Sequence, residues 1–354
     1  MRRYSRCRLG PVLVPACAAL LAAGCASSRS GAPVGAPAPS SVAADAVRRG
    51  PIAARSNGPL AQTFLNLRPR TAATAAPGDL ELRVLSSYSS IFEVGTGSAG
   101  SVSFDGELWR TSFALRTGLG SRTDVEVEIP ILYATSGFLD VFIESWHAVL
   151  GLPNSGRGTR PHFDYDMSIT AGGEDAYTLT GNRVGVGDIP VVLTQRIVDA
   201  RGVAPAVFVV AGLEIPAGSE SDGFGNGAWD WGLGLGLESN LGAWTFGGGL
   251  GWIDRVASTS FSEAGLEVQD GIAAHVDAEW RWYAQSSVLA GLRYENAVSE
   301  SLGIEELGGD VLELDLGFGI DGAGRSRWLV GFSEDLIAAS GTDFTALLGF
   351  QTRF

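Results

Sequence analysis

Three histidines, His147, His162 and His275, are the only imidazoles in a chain of 354 residues. Nucleophilic hydrolysis needs a Ser activated by a His whose ring a third group orients. No Gly-x-Ser-x-Gly elbow occurs in the sequence. No Gly-rich phosphate loop opens a helix either. His275 alone has carboxylates beside it, Asp277 and Glu279. On a strand these three would share a face and could hold a proton or a metal ion; the commoner role of such a trio is one node of a charged network. Cys7, Cys17 and Cys25 all fall at the N-terminus, so the rest of the chain has no thiol for a disulfide or a zinc site. The sequence therefore predicts no enzyme, no metal and no cofactor.

The chemistry that remains belongs to charged side chains spaced by two. Asp124-Val125-Glu126-Val127-Glu128-Ile129-Pro130-Ile131 is the clearest case. Alternate side chains of a strand point to opposite faces, so Glu126 and Glu128 share one face and the aliphatic residues the other. A helix would scatter both sets. In the same way His275, Asp277, Glu279 and Arg281 oppose Ile272, Val276, Trp280 and Trp282, while Glu313 and Asp315 oppose Leu312, Leu314, Leu316, Phe318 and Ile320. Arg110, Arg116, Arg293 and Glu295 complete the charged rows.

This pattern recurs at about 80–91, 107–118, 123–133, 187–198, 204–216, 229–238, 243–253, 272–283, 287–296, 311–320, 328–337 and 343–354, which predicts twelve strands. Short Gly/Asn/Ser turns alternate with longer connections at 92–106, 134–186, 217–228, 254–271 and 297–310. A transmembrane antiparallel up-and-down β-barrel has this alternation, with tight periplasmic turns and long external loops. A soluble β-sandwich is the competing fold. Against it, eight of the nine Trp fall near strand ends, as in the two aromatic girdles of a barrel. Phe354 also shares a face with Leu348 and Phe350, a terminal aromatic of the kind the barrel-assembly machinery reads. Charged residues are only 18% and glycines number 49, against about 25% charged in soluble domains. A net charge of −14 without basic clusters argues against nucleic acid as a partner. The environment expected is outer-membrane lipid and lipopolysaccharide.

Residues 1–24 read as an export signal, with Arg2, Arg3, Arg6 and Arg8 before an apolar core. Leu21-Ala22-Ala23-Gly24-Cys25 resembles a lipobox and makes Cys25 a lipidation candidate, the alternative being ordinary cleavage nearby. Residues 25–58, rich in Ala, Pro and Ser, read as a disordered tether, and 59–354 as the barrel. The Gly232-Gly234-Gly236 and Gly247-Gly249-Gly251 stripes present no inward bulk. They would give either the curvature that barrel closure needs, the favoured reading, or room for a permeant or an inserted loop.

Within the long loop 134–186, Phe138, Leu139, Phe142, Ile143, Trp146, Val149 and Leu150 recur at helical spacing, ended by Gly151 and Pro153. Asp140, Glu144 and His147 lie on or beside the other face. Such a helix would either constrict the barrel mouth, with Asp140, Glu144, Trp146, His147 and Arg157 as gate residues, or rest on the rim or in the lipid headgroups.

Phe138-Leu139-Asp140, Glu144-x-Trp146-His147 and Gly151-Leu152-Pro153 followed by Arg157 resemble the hallmark block of a Gram-negative outer-membrane family known as a domain of unknown function, number thirty-one eighty-seven. Phe104-Asp105-Gly106-Glu107, Glu128-Ile129-Pro130, Gly185-Val186-Gly187-Asp188, Leu213-Glu214-Ile215-Pro216-Ala217-Gly218 and Ser333-Glu334-Asp335 extend the likeness over roughly residues 58–354. It implies an integral outer-membrane barrel and supplies no substrate or catalytic residue. The leading expectation is a passive channel or transporter for a small solute, selected by the charged lumen and the helix-bearing loop. A non-conducting, surface-presenting barrel and a lipid-face hydrolase are the alternatives.

Overall fold

A computed structural model describes residues 50–151, 156–179, 181–322, 325–337 and 341–354. The export signal, Cys25, the first part of the tether and Pro153 lie outside the described residues. Twelve strands form a closed antiparallel barrel. They are β1 (Leu80–Thr96), β2 (Gly100–Gly120), β3 (Thr123–Thr135), β7 (Ile189–Val198), β8 (Ala206–Ile215), β9 (Asp230–Leu241), β10 (Trp244–Asp254), β11 (Gly271–Tyr283), β12 (Ser286–Glu295), β13 (Val311–Asp321), β14 (Ser326–Asp335) and β15 (Phe344–Arg353). Each of the twelve expected segments is one of these strands. The ring closes where β1 pairs with β15, Val84 opposite Phe350 and Tyr88 opposite Ala346. Closure leaves no strand edge, which hydrocarbon demands because it offers backbone groups no water. Gly242, at φ 64°, makes the tight β9–β10 turn in a conformation that side chains with a Cβ resist.

The period-two signal placed the faces as well as the strands. Val127, Ile129, Leu235, Leu250, Ile272, Val276 and Val330 point outward and are exposed, while Asp124, Glu126 and Glu128 are buried on the lumen side. Trp244, Trp280, Trp282 and Trp328 sit at the short-turn end, where Trp244 and Trp280 stack with ring centroids 5.6 Å apart. Trp109, Trp231 and Trp252 mark the other girdle. An apolar outer belt between aromatic girdles, on a closed barrel, is the surface of an outer-membrane protein.

Two connections hold strands that the sequence did not suggest. The expected loop 92–106 is a hairpin, because β1 and β2 run on above the barrel to a turn at 97–99. Its apolar residues Phe92, Val102 and Phe104 pack under neighbouring loops, so the alternation against lipid that marks the lower strands is lost there. The long loop carries the helix α1 (Asp140–Leu150), then β4 (Asp166–Ala171) and β5 (Glu174–Leu179), a second hairpin added to the top of β2. The short β6 (Arg183–Val186) pairs with the upper part of β3. Helix α1 ends at Gly151, whose φ of 73° lets its N–H bond back to the His147 carbonyl.

The residues with least pattern make the largest departure. Residues 50–58 were expected in the tether. They instead lie inside the barrel with Ile52, Ala54, Arg55, Ser56 and Asn57 buried, and 59–76 follow them there.

The outward set can be checked directly. Val276 is 59% exposed at mid-strand, between Gly248 and Leu292. Val276→Arg should cost about 2–4 kcal/mol of folding free energy in phospholipid vesicles, read by urea titration.

Candidate functional site

The lumen is the candidate site, and an N-terminal plug fills it. The plug rises from the short-turn end, turns at the mouth and returns to begin β1. Both arms reach the wall mostly through polar groups. On the rising arm, the Gly50 N–H donates to Glu279 Oε2 at 3.0 Å. Asn57 Nδ2 donates to Ser87 and Ser89 of β1 at 3.2 and 2.9 Å. Ile52 and Ala54 sit between these among Leu289 and Leu347.

At the mouth, Arg55 Nη2 ties the turn by donating to the Ala61 and Phe64 carbonyls, both at 3.0 Å. Leu60 and Phe64 insert into an apolar cluster built from the loops: Phe104, Ile169, Tyr177, Phe224, Phe261 and Leu307 among others. Phe64 lies 5.8 Å from the Phe261 ring. The external loops are therefore folded over the lumen with the plug tip in their core.

The returning arm carries the charge pairing. Arg68 pairs with Glu128, and Arg70 Nη2 lies 2.6 Å from Glu126 Oε1. Arg83 of β1 reaches the same Glu126 oxygen at 2.9 Å, and Arg110 reaches Glu128 at 3.5 Å. Thr71 Oγ1 and the Ala72 N–H both donate to Glu238 Oε2, at 2.5 and 2.9 Å. Asn66 Nδ2 donates to Glu295 at 2.6 Å, and the Ala75 N–H to Asp124 at 2.7 Å. Burial of a carboxylate is costly unless it is paired, and here the wall's acids take partners from the plug.

The glycine stripes take their meaning from this arm. Favouring strand curvature alone missed that Leu67 lies over them: a Cβ on Gly251 would stand 3.1 Å from Leu67 Cδ1, and one on Gly232 3.3 Å. Gly212 faces both Leu65 and Leu67 in the same way. The other glycines clear space for wall side chains, Gly236 for Phe208, Gly247 for Asp277 and Gly249 for His275.

The remaining lumen candidates pair within the wall. Arg293 bridges Glu313 at 2.5 Å and Asp315 at 2.6 Å. Arg116 holds Asp124 at 2.6 Å. Glu279 holds Arg327 at 2.7 Å. His275 Nδ1 is 3.0 Å from Asp277. Arg281 is different: it lies near the short-turn rim, partly exposed, 3.6 Å from Asp321. The sequence reading missed Arg55, Arg68, Arg70 and Asn57, which stand outside any periodic segment. A cavity of about 80 Å³ that opens to solvent lies between the two plug arms and the wall, lined by Arg70, Arg83, Arg116 and Arg327 with Glu81.

The loop candidates do not enter the mouth. Helix α1 lies on the outer wall of the barrel against β1, β14 and β15. Trp146 packs on the outward Phe332 and Phe344 at 5.8 and 6.1 Å and donates to Glu334 at 3.2 Å. His147 Nε2 is 3.5 Å from the other Glu334 oxygen. The Phe138 N–H donates to Glu107 at 2.9 Å. Arg157, buried beneath the helix start, pairs with Asp140 and Asp343, donates to Ser90 at 3.1 Å and stands 4.7 Å over Phe92. Burial alone would lower its pKa, but Asp343 and Asp140 outweigh it and hold the guanidinium above its ordinary value. Glu144 is 3.1 Å from His162. These residues seat the helix; they do not line a pore. A second buried acid, Asp188, gathers the loop 217–226 by accepting from the Ala217, Gly218 and Asn226 N–H groups at 2.7–3.0 Å. Burial raises its pKa against those donors.

The chain belongs to the family described as Protein of unknown function (DUF3187), which matches residues 30–354. Its fold is similar to the crystal structure of the COG4313 outer membrane channel from Pseudomonas putida F1. That likeness has 15% identity and a TM-score of 0.51, over 82% of this chain and 100% of that chain. The Pseudomonas putida toluene transporter TodX is more distant, at 10% identity and a TM-score of 0.36 over 86% and 99% of the two chains. A Pseudomonas aeruginosa FadL homologue gives 8% identity and a TM-score of 0.36 over 84% and 91%. No curated protein matches the chain.

Removing a shared carboxylate tests the pairing. Glu126→Gln strands Arg70 and Arg83 and should lower the opening free energy of residues 65–76 in hydrogen exchange by about 3–5 kcal/mol. Arg122→Gln breaks an exposed turn pair with Asp199 and should change it by less than about 1 kcal/mol.

Proposed function

We propose that this protein is an outer-membrane channel for a small solute, held closed by its own residues 50–76. The observation that carries the proposal is the character of the plug's contacts with the wall. Hydrogen bonds and ion pairs recur along both arms, interspersed with apolar contact at the mouth and at Ile52, Ala54, Leu65, Leu67 and Ala72. A purely structural filling would be served better by continuous apolar packing, because replacing a buried ion pair with apolar residues is often stabilising. Both arms leave the lumen at the short-turn end, so the plug withdraws as one hairpin toward the periplasm.

Withdrawal also sets the selectivity. It takes Arg68 from Glu128 and Arg70 from Glu126, and it frees Glu238 and Glu295 of their plug donors. The opened wall then carries an excess of acids, which favours cations and neutral polar solutes over anions. Its three histidines are engaged by Glu334, Glu144 and Asp277.

A disulfide tests the gate. A Cβ on Gly251 lies 3.5 Å from Leu67 Cβ, at the edge of the about 3.5–4.5 Å range of disulfide-linked Cβ atoms. In planar bilayers, a chain lacking residues 50–76 should conduct at all times, and Leu67→Cys with Gly251→Cys should show no openings until reduction restores those of the parent chain. A deletion variant that folds into a barrel but passes no current would leave the non-conducting, surface-presenting barrel as the function.

A further inference from the structure

Helix α1 is built inside out. On a soluble protein the apolar arc of a surface helix turns to the core and the polar arc to water. Here Asp140 and His147 are each only 6% exposed and face the barrel with Ile143, while Phe138 is 65%, Val141 52%, Phe142 46% and Val149 81% exposed. The inversion is built in by the network under the helix. Arg157 neutralises Asp140, Glu334 takes both Trp146 and His147, and Glu107 accepts from the backbone at the helix start. The one acid on the exposed flank, Glu144, is engaged by His162. Seen from outside, the one carboxylate on this flank is therefore hydrogen-bonded, and the rest of the exposed arc is mostly apolar.

That surface continues the established lipid belt. Phe138 stacks at 5.1 Å on Tyr88, whose ring meets Trp109 at 6.2 Å, and Phe142 lies 5.5 Å from Phe344. All three of these barrel aromatics, Tyr88, Trp109 and Phe344, belong to the outward row of their strands. We infer that α1 is an interfacial helix whose Phe138, Val141, Phe142 and Val149 are covered by acyl chains of the outer leaflet. It makes the apolar belt taller over β14, β15 and β1 than around the rest of the ring.

Spin labels report the surroundings directly. A full chain with C7A, C17A and C25A would carry one further cysteine at a time, Val141→Cys, Ser145→Cys or Val149→Cys on the helix and Val203→Cys in an exposed short turn. Each is labelled, refolded into dioleoylphosphatidylcholine vesicles, and exposed to oxygen and to a water-soluble nickel chelate. The expected result is an oxygen-to-nickel accessibility ratio several-fold higher at the three helix positions than at Val203. Ratios equal to that at Val203 would place the helix in water and overturn the inference. Low accessibility to both reagents, with spin–spin broadening lost on dilution into excess lipid, would put a second copy of the chain on the helix and overturn it too. Three helix positions guard against one variant that does not fold.

Discussion

A carboxylate inside a narrow lumen must find a positive partner or a hydrogen-bond donor, and much of this architecture answers that requirement. Glu126 and Glu128 point inward because lipid takes the other face of β3, and the strand's two-residue period gives them no alternative. Arg83 and Arg110 from neighbouring strands satisfy part of the demand. Arg68 and Arg70 of the plug meet the rest. Wall and plug are thus two halves of one charge system. The wall acids locate the plug, and the plug makes the wall acids tolerable.

The barrel was legible because lipid imposes a strict rule on it. Every spanning residue faces either hydrocarbon or lumen, so Val125, Val127, Ile129 and Ile131 announce a face without any knowledge of neighbours. The plug is under no such rule. Residues 50–76 touch wall on several sides at once and have no repeating geometry, so Arg68 and Arg70 look like scattered charges between prolines. Their partners, one of them 60 residues further along the chain, become visible only in three dimensions. The glycine stripes show the same limit. Their lack of bulk could be read from the sequence, but Leu67, which occupies the space, could not.

The helical spacing of α1 is legible in the sequence and its position is not, for a physical reason. Apolar residues at helical spacing say that one face avoids water. They do not say whether protein or hydrocarbon does the covering. What decides it is the polar arc, where Asp140 and His147 meet Arg157 and Glu334 from distant parts of the chain. Phe138, Asp140, Trp146, His147, Arg157 and Glu334 meet on this wall, and Asp188 meets Ala217 and Gly218. Both sites fix loops to the barrel top.

The place of the plug in the chain bears on how the molecule is made. It precedes β1, and the ring is sealed by the pairing of β1 with β15, the last strand in sequence. A segment seated by Asp230, Glu238 and Glu295 on strands from the middle of the chain does not find its seat until those strands exist. A finished ring, with its far opening roofed by loops, admits it only from the near side. That near side is also the route of withdrawal, so a closed ring can take up residues 50–76 by the same path along which it releases them.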